Sequence, residues 1–126
     1  MTTPLIKSYE ASAIVLARRI VAFSDVAASA KVAQAATPIA PAFGISSVLD
    51  TPVGAMCDVT LSGLAQLVLG GTVNAGAPIM SDANGAGVTA AAAAGATRRI
   101  VAIALEPGVV GDIIWVFVTP SLLDRA

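Results

Sequence analysis

Ile113-Ile114-Trp115-Val116-Phe117-Val118 is the stretch whose reading decides the fold of this chain. β-Branched and aromatic residues fill all six positions, a composition that fits a pleated, packed surface. Side chains alternate across a strand, so Ile113, Trp115 and Phe117 point one way and Ile114, Val116 and Val118 the other. Both faces are apolar. In a small antiparallel β domain one face meets the core and the other normally meets water. The second face therefore needs a cover, either another part of the chain or a neighbouring subunit.

Outward from this stretch the chain repeats the same grammar. Turn residues recur at Ser24-Asp25, Asp50-Thr51-Pro52, Gly70-Gly71, Asp82-Ala83-Asn84-Gly85 and Glu106-Pro107-Gly108, with short runs of Val, Ile and Leu between them. Short strands at such spacing predict an all-β fold, a compact barrel or sandwich of tulip-like form. Strands are expected over 14–23, 31–35, 44–49, 57–61, 65–69, 78–81, 86–89, 99–105 and 113–119. The 11–22 segment has helical spacing too, but Ile14, Val15, Ile20 and Val21 lean to strand. The alanine run at 90–94 is too short for a stable helix and reads as a loop. Residues 1–10, with Pro4, read as an extended arm, and 11–126 as one β-rich domain. Arg18-Arg19-Ile20-Val21-Ala22 recurs as Arg98-Arg99-Ile100-Val101-Ala102. A duplicated unit would explain this, and so would two strands that each enter from a polar turn.

Composition bounds the function. Of 126 residues 56% are hydrophobic and 12% charged, against about 25% charged in an ordinary soluble domain. The area–mass scaling leaves on the order of 400 Å² of surface for each charge. Alanine supplies much of the apolar fraction and tolerates solvent, but contact with other protein is still the expectation. Seven basic and eight acidic residues make no basic field for nucleic acid and no polybasic membrane face. Glycine, proline and polar residues interrupt each uncharged stretch, so no spanning helix is expected. Glu10 and Arg18-Arg19 argue against a signal peptide, and the chain reads as soluble and cytoplasmic.

Catalytic chemistry finds little to work with. There is no histidine, and Cys57 is the sole cysteine, so neither an intrachain disulfide nor a usual zinc site is expected. The acids stand singly, mostly in turns. Asp82-Ala83-Asn84-Gly85 opens like a calcium loop but continues with Ala86 and Ala93 where oxygen ligands belong, so it reads as an Asn-Gly turn. Glu106-Pro107-Gly108 fits a type II turn. Lys7 and Lys31 lack the context of a phosphate-binding loop. Neither an enzyme nor a cofactor is expected.

An ordered set of motifs carries a resemblance. Ile20-Val21-Ala22-Phe23 is followed by Val59-Thr60-Leu61-Ser62-Gly63. Gly76-Ala77-Pro78-Ile79-Met80-Ser81-Asp82, closed by Gly85, precedes Ala104-Leu105-Glu106-Pro107-Gly108 and its run to Gly111-Asp112-Ile113. This resembles the small capsid decoration, or cement, proteins of tailed bacteriophages, and departs from them at Ala77, where a polar or acidic residue is common. The resemblance implies a β-rich protein that associates with itself, a trimer before a dimer. It would dock outside an icosahedral shell, with the major capsid protein as partner, after synthesis in the host cytoplasm. Candidate interface residues are Thr2, Thr3, Pro4, Leu5, Ile6 and Tyr9 of the arm, with Trp115 and Phe117 of the last strand. The rival readings are a phage tail or tube component and a small-ligand-binding β-barrel.

Overall fold

The computed structural model describes residues 5–24, 31–37, 41–90 and 97–124, and these hold nine strands and no helix. The strands are β1 (Leu5–Glu10), β2 (Ile20–Phe23), β3 (Val32–Gln34), β4 (Ala42–Ser46), β5 (Met56–Val68), β6 (Pro78–Ser81), β7 (Gly87–Thr89), β8 (Thr97–Ala104) and β9 (Ile113–Asp124). All pair antiparallel, on one path that runs β3-β2-β4-β5-β9-β8-β6-β7 with β1 added on β5. The path does not close into a barrel.

β5 is the hinge of the architecture. Its residues 56–62 pair with β1, and from Gly63 its residues 63–68 pair with β9. Two leaves result. The first has the order β3-β2-β4-β5-β1, because Thr60 lies between Ile45 of β4 and Ile6 of β1. The second has the order β7-β6-β8-β9-β5, because Phe117 lies between Ile103 of β8 and Leu64 of β5.

The leaves are copies of one unit. Tyr9 faces Cys57 as Leu67 faces Ile114; Val21 faces Gly44 as Ile79 faces Ala102; Phe23 faces Val32 as Ser81 faces Gly87. The match extends beyond the strands. Val15 bridges Thr51 as Val73 bridges Gly108, and Ala11 bridges Val32 in parallel as Leu69 bridges Gly87. A turn closed by Ala55 N–H to Pro52 O precedes β5, and one closed by Asp112 N–H to Val109 O precedes β9. Their third residues, Gly54 (φ 84°) and Gly111 (φ 87°), are both left-handed. The spacing of roughly 57 residues throughout marks a tandem structural duplication.

Each leaf has a front, which carries its own core, and a back. The front of leaf one holds Ala11, Val15, Val21, Val32, Cys57 and Val59, with Tyr9, Phe23, Phe43 and Leu61 packed against them. The front of leaf two holds Leu67, Leu69, Val73, Ile79, Ile114, Val116 and Val118, and against it lies the back of leaf one through Ile20, Ala22 and Ile45. The stacking is therefore front to back, with β4 lying on β8 and β9. β2 is buried on both faces for this reason.

Several expectations are corrected. The strand expected over 14–23 begins only at Ile20, because Arg18 is left-handed (φ 58°) and breaks the extended run. The strands expected over 57–61 and 65–69 are one 13-residue strand, since Gly63 (φ 99°) lets it change partner without ending. Likewise β9 runs to Asp124, so the strands are not all short. Gly108 is not left-handed; the glycine turn forms three residues later, at Gly111. Residues 5–10, read from the sequence as part of an arm, form β1 and are hydrogen-bonded to β5 as an edge strand. The Arg-Arg repeat aligns β2 with β8, whereas the duplication pairs β2 with β6. It is not the trace of the duplication.

Candidate functional site: an open apolar sheet face

The back of leaf two is the second apolar face expected from the alternation in residues 113–118. Ile114, Val116 and Val118 are 3%, 0% and 0% exposed, while Ile113, Trp115 and Phe117 are 46%, 47% and 45% exposed. Cross-strand pairing extends the exposed row: Leu64 opposes Phe117, Ile103 flanks it from β8, and Pro78 lies opposite Ile103 on β6. Beside the row Gln66 opposes Trp115, and Leu105 N–H donates to Trp115 O. Glu106 Oε1 accepts from Trp115 N–H at 3.3 Å, which holds the turn after β8 close to the strand. Among the described residues nothing covers this row.

Where β5 passes between the leaves, Trp115, Leu64 and Gln66 meet Ile6, Val48 and Thr60 around an open cleft of about 250 Å³. That is below the roughly 300–1,000 Å³ of small-molecule pockets. The cleft is the groove beside an aromatic ridge.

Of the other sequence-predicted residues, Leu5 and Ile6 are exposed on β1. Tyr9 behaves differently, packing edge-on against Phe23 and Phe43 with ring centroids at 5.7 and 5.2 Å. Phe23 and Phe43 stack at 4.1 Å. Tyr9 thus belongs to the front of leaf one and stands apart from Trp115 and Phe117. Thr2, Thr3 and Pro4 lie outside the described residues. Sequence reasoning missed this aromatic trio, because its members come from β1, β2 and β4. Only the order of strands brings them together.

Polar contacts lock the leaves together. Ile20 N–H donates to Gly85 O at 2.7 Å, Arg19 Nη1 and Gln34 Nε2 both donate to Asn84 O, and Ser81 Oγ donates to Ala35 O. Asp82 Oδ1 shapes the docking turn by accepting from Asn84 N–H and Ala86 N–H. Among the described residues Arg19 Nε is buried without a hydrogen-bond partner. Burial pushes the Cys57 thiol up, Asp58 adds to the rise and a Thr51 hydrogen bond opposes it, so the thiol stays protonated. Among the described residues no three His, Cys, Asp or Glu side chains converge as metal ligands, and no helix is long and apolar enough to cross a membrane.

The described residues of the chain form a two-leaf all-β fold in which the apolar back of leaf two is open among them. No known protein family matches its sequence, and no curated protein does. Its fold is similar to that of the head fiber gp8.5 N base of bacteriophage phi29, with a TM-score of 0.69 and 18% identity. The likeness covers 98% of this chain and 100% of that one.

Proposed function

We propose that this chain is a structural protein of a tailed-phage virion, seated on the outside of the capsid. There it bridges neighbouring major capsid subunits as a self-associated unit, a trimer before a dimer. Its action is mechanical: many copies of one modest contact raise the stability of the shell by mass action. It needs no cofactor and catalyses nothing. The observation that carries this reading is the likeness, over nearly the whole of both chains, to the base of a phage head fiber. The open apolar face supports it, since a row of Leu64, Phe117 and Ile103 beside Trp115 is a surface for protein rather than for water. The ligand-binding barrel is disfavoured by a strand path that does not close and by the small cleft.

Co-sedimentation with emptied heads of the same phage, lacking this protein, tests the reading. Saturable binding at a fixed copy number per head, with a raised melting temperature of the shell, is expected. Failure to co-sediment at tens of micromolar would falsify it.

A further inference from the structure

The internal stacking is heterologous: the back of one unit meets the front of the next. Such a contact uses two different surfaces and leaves one of each unused at the ends of the stack. Both unused surfaces can be read residue by residue from the duplication. On leaf one's back, Ile20, Ala22 and Ile45 are buried beneath leaf two, and Thr60 is buried beside the cleft. Their equivalents on leaf two are Pro78, Met80, Ile103 and Phe117, all apolar and all partly or largely exposed. On leaf two's front, Leu67, Ser81, Val101 and Val118 are buried beneath leaf one. Their equivalents on leaf one are Tyr9, Phe23, Phe43 and Leu61, apolar or aromatic and half-buried.

We propose that the back of leaf two in one copy docks on the front of leaf one in a second copy, continuing the leaf-on-leaf stacking from chain to chain. The occupant of the open face is thus a second copy of this chain, and each copy uses both surfaces once. Continuity with the internal interface argues for this partner, because the same two sides of the same unit already pack inside the chain. The chemistry suits the contact. Phe117, Met80 and Ile103 on one side meet the stacked Phe23 and Phe43 with Tyr9 on the other, and Met and aromatic side chains adapt well to one another.

The copy is not complete, and the difference predicts its strength. The Ile20 N–H that donates to Gly85 O has Pro78 as its equivalent, and proline has no N–H. Arg19 and Gln34, which hold Asn84 O, correspond to Ala77 and Thr89. The contact between copies is therefore apolar and lacks the polar latch, so it is weaker than the internal one and depends on concentration. This proposal stands on the duplication and does not rest on the capsid reading.

The test is sedimentation equilibrium on the intact chain over a wide concentration range. Phe117→Asp spoils the back and, being at an exposed position, leaves the fold intact. Phe43→Asp spoils the front; Tyr9→Arg is a second front variant whose charged end can reach water if Phe43→Asp does not fold. Wild type is expected to associate, and each variant alone to lose association by about tenfold or more. An equimolar mixture of a back variant and a folded front variant should form a one-to-one dimer and nothing larger, since one good surface of each kind remains. A monomeric wild type at hundreds of micromolar overturns the proposal. So do front variants that associate like wild type, as a back-to-back dimer requires, and so does a mixture that behaves like its separate components.

Discussion

Leaf one and leaf two have the same strands in the same order, yet opposite relations to solvent. At equivalent places on their backs, Ile45 is fully buried and Ile103 only partly; Thr60 is 9% exposed and Phe117 45%. The scaffold does not decide this. What decides it is whether another unit lies on top. The residues have not become polar where the cover is missing, as a surface left to water would allow. On β9 they have become larger and more apolar: Thr60, buried on leaf one, corresponds to the exposed Phe117, and Asp58, already exposed on leaf one, corresponds to Trp115. Exposure that selects for bulk points to a partner.

The largest expected effect tests the difference in cover. Ile45→Ala should cost about 2–5 kcal/mol, since it opens a cavity between the leaves. Ile103→Ala at the equivalent place should cost less than about 1.5 kcal/mol in dilute monomer, because little packing is lost there. Urea melts of the two variants measure both. Equal losses would mean that Ile103 is covered within the chain, and the comparison would break.

Trp115→Ala comes next. A half-exposed tryptophan forfeits only part of its burial, so the dilute monomer should lose about 1–2 kcal/mol rather than the roughly 3–5 of a core site. Thermal melts at low and high concentration should then differ more for wild type than for the variant. If the low-concentration loss reaches the core range, the face is not open.

Gly54→Ala and Gly111→Ala examine the equivalence directly. Neither added Cβ would meet an atom within 4 Å, so the only cost is the left-handed backbone, about 1 kcal/mol at each. The two melting shifts should agree closely. A clear disparity would show that the two turns serve different ends.

Cys57 gives a smaller, pH-dependent contrast, since its leaf-two equivalent Ile114 does not titrate. Burial raises the folded thiol's pKa above that of the unfolded chain. Stability is then level below the unfolded thiol value of about 8.5 and falls as pH rises toward the raised folded value. Cys57→Val should flatten that alkaline slope in melts taken from neutral pH upward. An unchanged slope would assign it to other groups.

The sequence carried the alternation of β9, and with it the all-β class and the existence of a second apolar face. It could not say which face would stay open, because that depends on how leaf one stacks, a contact between distant residues. The duplication was hidden for a related reason. Equivalent positions pack against different neighbours and have traded volume: Tyr9 for Leu67, Phe43 for Val101, and Val32 for Gly87. Backbone register survives such exchange while side-chain identity does not. β1 escaped notice because an edge strand of six residues with Lys7, Ser8 and Glu10 has the composition of a solvated segment.

Arg18 has the smallest expected effect and the sharpest use. Its equivalent is Gly76, and both are left-handed, at φ 58° and φ 84°. Leaf two meets the backbone demand with glycine; leaf one meets it with a residue that costs about 1–2 kcal/mol in that conformation. Arg18→Gly removes the strain but frees the unfolded chain by about 0.5–1 kcal/mol. It also loses the 3.3 Å hydrogen bond from Arg18 Nε to Gln66 Oε1, worth about 0.5 kcal/mol at that length. These terms largely cancel, leaving between about −0.5 and +1 kcal/mol, so the melting temperature should move by no more than about 4 °C. Arg18→Val, which keeps the strain, adds β-branching and loses the same bond, should fall clearly below both. Should Arg18→Gly prove as damaging as Arg18→Val, the guanidinium is what holds β5 against the loop before β2. Position 18 would then match position 76 in backbone alone.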